Sequence, residues 1–176
     1  VGENTQIKIL QDQSEKIMVN IDNVQFDLIF GAFLSVFIVF VFLRNTTATF
    51  VSALAIPTSV IGTFAIIDYL GYDLNRLTLI GLTLAIGIFI DDAIVVIENI
   101  MKKMEDGATT FQASFEGAKE VAFSILAISS VLLAVFVPVA FMDGIVGMFF
   151  NSFAMTVASG IVISYFVAIM FIPSIG

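Results

Sequence analysis

Two adjacent carboxylates, Asp91 and Asp92, interrupt the apolar run GIFIDDAIVVI between Gly87 and Ile97. Placing an ionised Asp at mid-membrane depth costs about 2.5–3.5 kcal/mol on insertion scales. A like charge beside it adds repulsion, whereas a protonated carboxyl avoids most of the cost. Such a pair titrates as a coupled unit and can pass between charged and neutral forms at accessible energy, which is the chemical requirement of a proton carrier. Other chemistries drop out: the chain has no histidine and no cysteine, so it has no imidazole relay, no disulfide and no Cys- or His-based metal site. No cofactor is expected.

Adjacent residues on a helix point about 100° apart, so the two acids flank one edge and need not meet the same neighbour. Asp92 shares a face with Ile88, Ala85 and Gly81, while Asp91 stands one turn above Gly87. Gly81, Ala85 and Gly87 are small enough for another helix to approach closely and are the expected packing residues around the acids. A matching stripe, Ser152, Thr156, Gly160, Ser164 and Ala168, recurs every four residues further on. Thr156, Gly160 and Ser164 are its candidate polar part near the acids, although plain close packing accounts for those hydroxyls equally well. A competing reading ends the helix at Ile90 and makes Asp91 the cap of a new one. The five apolar residues Ala93–Ile97 argue against it. Glu98 and Asn99 then read as solvated residues at the helix end.

The rest of the chain must position this pair. Of 176 residues, 59% are hydrophobic and 12% charged, and the mean hydropathy is +1.07. Soluble domains are about half apolar and a quarter charged, so the class is an all-α membrane protein. The net charge of −8 comes with no basic stripe, which excludes nucleic acid as a partner and leaves the lipid bilayer. Residues 1–25 are the one water-soluble stretch, predicted to form a short strand over Gln6–Leu10 and a short helix after Ser14. Residues 26–176 form the transmembrane domain. Runs long enough to cross a bilayer fall at 26–43, 48–67, 77–97, 121–141 and 149–172, giving a polytopic bundle of five transmembrane helices. The segment 98–120 carries Lys102, Lys103 and Lys119 among several acids and is predicted to be an amphipathic surface helix. Beginning at Val1 and stopping soon after Pro173, the chain reads as a piece of a larger protein.

Arg44 and the three lysines fall on one side of the membrane by this count, which the positive-inside rule makes cytoplasmic, with residues 1–25 outside. No Lys or Arg lies within any of the five runs. A buried carboxylate pairs with a cation or stays protonated. Asp91 and Asp92 therefore either remain neutral or find their cation in sequence beyond these residues.

The frame Gly81-x-x-x-Ala85-Ile86-Gly87-x-x-x-Asp91-Asp92-Ala93-Ile94-Val95-Val96-x-Glu98-Asn99 resembles the fourth transmembrane helix of resistance–nodulation–division (RND) efflux pumps, in the multidrug, hydrophobe/amphiphile branch. Further blocks agree in order: Asp12-Gln13-Ser14, Pro57 with Gly62-Thr63-Phe64, Asn75 with Leu77-Thr78, and Val137-Pro138-Val139-Ala140-Phe141. The resemblance covers essentially the whole chain. It implies that the spans are the second to sixth of twelve, and that residues 1–25 end a periplasmic porter region. It also implies that Asp91 and Asp92 are the proton relay, with a lysine partner on a helix of the second half. Pumps of this kind are homotrimers of the bacterial inner membrane, work with a periplasmic adaptor and an outer-membrane channel, and expel drugs and amphiphiles. A protein-translocation or lipid-handling subunit built on similar helices, or a non-transporting helical scaffold, remains open from the residues alone.

Overall fold

The computed structural model describes residues 46–175 and, before them, scattered helical positions between 26 and 41. The strand and helix expected within 1–25, and half of the first run at 26–43, lie outside the described residues. Four described helices are long and apolar enough to cross a membrane. They are α1 (Thr46–Tyr69), α2 (Arg76–Glu105), α3 (Thr110–Ala140) and α4 (Gly144–Phe166); α4 continues through a π-helical turn, Val167–Phe171, into α5 (Ile172–Ile175). The architecture is an all-α membrane helical bundle.

Local sequence sets the ends of these helices. Gly71 follows α1 at φ 76° and Gly107 follows α2 at φ 95°, conformations that a Cβ disfavours. Both close Schellman motifs: Tyr72 N–H donates to Ile67 O and Gly71 N–H to Asp68 O, and Ala108 N–H to Lys103 O and Gly107 N–H to Met104 O. At the start of α2, the Asn75 side chain accepts from Leu77 N–H at 2.8 Å and Thr78 N–H at 3.0 Å. Thr78 Oγ1 accepts from Asn75 N–H at 2.8 Å, completing a reciprocal capping box. Thr109 caps α3 through Gln112 N–H.

The segment 98–120 is not a separate surface helix. Glu98–Glu105 complete α2, Thr110–Glu120 begin α3, and four residues join them. Charged residues such as Glu and Lys are good helix formers, so each helix runs past the point where its apolar stretch stops.

Helices α2 and α4 form the centre of the bundle, with half of the most apolar stretch of each buried, against 11% for α3. Phe123, Val131 and Val135 of α3 instead face outward, as expected for a lipid-facing helix. One core cluster joins Val51 and Ala55 of α1 to Val96, Ile97 and Ile100 of α2, Ala113 and Ile125 of α3, and Ala168 and Ile172. A second gathers Ile56 with Leu82, Ala85, Ile86 and Phe89. Pro57 and Pro138 lie inside α1 and α3, and both helices run through them.

Candidate functional site

Helix α2 passes unbroken through the acid pair, so Asp91 caps nothing. The two acids have opposite surroundings. Asp92 is buried, at 6% exposure, whereas Asp91 is exposed. Their 100° separation lets one face the neighbouring helix while the other points away from it.

That neighbour is α4. Ser164 Oγ donates to Asp92 Oδ2 at 2.5 Å, and Ser164 is itself 2% exposed. Close backbone approach on the same face makes the contact possible. A methyl added at Gly160 would stand 2.7 Å from Ala85 Cβ and 3.2 Å from Phe89 Cε1 and Cζ. One added at Gly81 would stand 2.9 Å from the Phe153 carbonyl oxygen and 3.1 Å from Thr156 Cβ. The contacts Gly81 with Thr156, Ala85 with Gly160 and Asp92 with Ser164 advance together along both chains, so α2 and α4 run parallel. Small residues at these crossings let the two backbones meet, and this proximity brings a short serine side chain within reach of the carboxyl.

Within the expected stripe, Ser164 alone touches an acid. Thr156 lies level with Gly81, about 16 Å along the axis from Asp92, and its Oγ1 donates to Ser152 O in its own helix at 2.7 Å. Gly160 packs on Ala85 and Phe89. Gly87 has no such neighbour among the described residues: a methyl there would meet none of them within 4 Å. Two residues beyond Ala85, it sits about 200° around the helix, on the side that carries exposed Asp91.

Asn99, expected to be a solvated helix-end residue, instead ties α2 to α3. It lies two turns beyond Asp92 on nearly the same face. Its Nδ2 donates to Gly117 O at 2.8 Å and to Glu120 Oε2 at 3.1 Å. Lys103 Nζ meets the other oxygen, Glu120 Oε1, at 2.6 Å. Gly117 permits this approach, since a methyl there would lie 3.0 Å from Ile100 Cα and 3.1 Å from Ile100 N. The sequence signal for this clamp is the i, i+4 pair Asn99 and Lys103 facing the i, i+3 pair Gly117 and Glu120. It becomes visible only once the two helices are known to form a hairpin.

The π-helical turn begins three residues after Ser164, and Ile172 N–H donates to Val167 O across it. Pro173 has no N–H to give to Ile169 O and its ring crowds that carbonyl, so the ladder widens just ahead of it.

Among the described residues the one ion pair is Lys103 with Glu120, and no lysine or arginine reaches Asp91 or Asp92. A family model described as the AcrB/AcrD/AcrF family matches residues 1–176. The chain belongs to the AcrB/AcrD/AcrF family. It is therefore sequence of an RND-type efflux transporter, a multi-pass membrane protein of a transporter family rather than an enzyme family, whose pumps work with partners. For such a transporter, a carboxylate buried at a helix crossing and held by a serine hydroxyl is the arrangement most in need of a chemical explanation.

Proposed function

We propose that these helices carry the acidic half of the proton relay of a proton-driven exporter of drugs and amphiphiles, with Asp92 as the buried, switching carboxyl and Asp91 beside it. The observation that carries this reading is Asp92, which is buried against Ser164 with no lysine or arginine in reach among the described residues. Neutral, it is accommodated by one hydrogen bond and a close-packed wall. Ionised, it requires a positive partner, which a lysine on another helix of the same pump supplies. Protonation releases that lysine, and the change in attraction moves α2 and α4 relative to the helix bearing it. Alternation between the two arrangements drives the external domains through alternating access. In the working pump, residues 1–25 are periplasmic, and the lysine-bearing loop after α2 is cytoplasmic. The assembly is a homotrimer in the bacterial inner membrane, joined to a periplasmic adaptor and an outer-membrane channel.

The test is resistance in cells expressing the intact pump. Asp92→Asn and Asp91→Asn each remove the charge with little change in shape. Both are expected to abolish resistance to amphiphilic drugs while the protein remains in the membrane at normal abundance. Full resistance in both variants would eliminate the relay assignment.

A further inference from the structure

The last turns of α4 pose a problem of rotation. On an α-helix a four-residue repeat drifts around the axis by about 40° per step. Gly160, Ser164, Ala168 and Ile172 follow that repeat. On an unbroken α-helix Ile172 would therefore stand about 120° from Gly160 and about 80° from Ser164. Yet all four are buried. Ser164 donates to Asp92, and Ala168 and Ile172 sit in the core cluster with Val96, Ile97 and Ile100 of α2. The outward side keeps the same spacing, with Val162, Phe166 and Met170 exposed.

The π-helical turn at Val167–Phe171 removes the conflict. Its hydrogen bond runs from Ile172 N–H to Val167 O, five residues back where an α-helix reaches back four. One residue is taken up without advancing the helix around its axis, which sets the far end back by about 100°. Ile172 then falls within about 20° of both Gly160 and Ser164. Because Pro173 has no N–H, a tighter ladder would gain no bond at that position, so the wider turn forfeits little.

Two anchors hold α4 on either side of the turn. Upstream, Gly160 is fixed by its close approach to Ala85 and Phe89. Downstream, Ile172 is held in the core cluster at 1% exposure. Turning either end by about 100° would bring a larger side chain to the Gly160 crossing or carry Ile172 out of the core. The number of residues between the anchors therefore decides which side chain Asp92 meets.

We infer that the π-helical turn is a rotational spacer for the acid site: its surplus residue keeps Ser164 against Asp92 while Ile172 stays in the core. It is a positioning element that acts on Asp92 through Ser164. Its functional meaning rests on the relay reading, but the hydrogen bond it sets is measurable independently.

The experiment compares two one-residue deletions in the intact pump, each removing an exposed apolar side chain. Deleting Met170 takes the surplus out of the turn, so α4 closes to a plain α-helix with both anchors in phase. Deleting Val162 removes a residue between Gly160 and Ser164. Closing the turn again satisfies both anchors, but the side chains between them shift by one place. Tyr165 then stands where Ser164 stood, with its hydroxyl too far out on the ring to make the same bond. Infrared difference spectra on acidification report the Asp92 carboxyl band, identified by its loss in Asp92→Asn. Deletion of Met170 is expected to leave the band at its wild-type position, and deletion of Val162 to move it off that position as Ser164→Ala does. A shifted band or an unfolded protein after deletion of Met170 overturns the proposal. So does a wild-type band after deletion of Val162. If the Val162 deletion fails to fold, the Met170 deletion decides alone, because a residue integral to the packing would not be dispensable. The readout is the hydrogen bond itself, so the outcome stands whether or not Asp91→Asn and Asp92→Asn abolish resistance.

Discussion

The crossing of α2 and α4 at Gly160 is the point at which a single methyl group has the largest calculable effect. In Gly160→Ala the new Cβ would sit 2.7 Å from Ala85 Cβ, whereas carbon atoms pack at about 3.5–4.0 Å. The helices must therefore separate by about 1 Å at that level. Ser164 lies one turn further along α4, so its 2.5 Å bond to Asp92 lengthens to near the limit of a hydrogen bond. Overpacking costs about 1–3 kcal/mol and the lost hydrogen bond about 0.5–1.5, while replacing helical Gly with Ala returns about 1. The net expectation is a destabilisation of about 1–3 kcal/mol, measured by reversible denaturant unfolding of the intact pump in mixed micelles. Ala85→Gly removes the methyl on the other side and costs about 1 kcal/mol through helix propensity alone. In the double variant Gly160→Ala/Ala85→Gly the contact with Ala85 is absent and the 3.2 Å approach to the Phe89 ring remains, so the two changes should couple favourably by more than the about 0.3–0.5 kcal/mol scatter of additive pairs. Strict additivity of the two changes would refute the packing and the route by which Ser164 reaches Asp92.

The remaining expectations concern separate contacts. Gly117→Ala places a methyl 3.0 Å from the backbone of Ile100 and should destabilise the hairpin of α2 and α3 by about 1–3 kcal/mol in the same unfolding assay. Gly87→Ala adds a methyl that meets nothing within 4 Å among the described residues, so it should stabilise α2 by up to about 1 kcal/mol in the same unfolding assay. Ser164→Ala removes the hydroxyl that donates to Asp92 and should cost about 1–3 kcal/mol. Infrared difference spectra should show the Asp92 carboxyl band shifted by loss of that bond, while Ser164→Thr keeps the band near its wild-type position.

Much of this arrangement is legible in the sequence because apolar runs of bilayer length, small residues at i, i+4 spacing and a misplaced acid pair are local signals. The faces bearing Gly81 with Ala85 and Gly160 with Ser164 follow from periodicity alone. Which acid turns inward does not, because a helical pattern fixes relative angles and leaves the absolute rotation to the neighbours. Gly87 illustrates this: its size suits a crossing, but it lies on the side of α2 away from α4. The true ends of α2 and α3 were hidden for another reason. Hydropathy marks where lipid would stop, whereas hydrogen bonding marks where a helix stops, and Glu98–Glu105 satisfy the second condition only. The clamp of Asn99 on Gly117 and Glu120, and the π-helical turn before Pro173, depend on the partner helix and the strained ladder, neither of which a single sequence displays.

Asp92 and Ser164 are separated by 72 residues in the chain. At synthesis rates of 5–20 residues per second, roughly 4–14 s pass between production of the acid and of the hydroxyl that will hold it. During that interval α2 is completed through Glu105, and α3 must be threaded in the opposite direction before α4 can come alongside. An ionised Asp92 would oppose insertion by about 2.5–3.5 kcal/mol over the whole wait. Biogenesis thus favours a protonated carboxyl, and a chain that stalls between α3 and α4 should present quality-control proteases with an unpaired acid in the membrane.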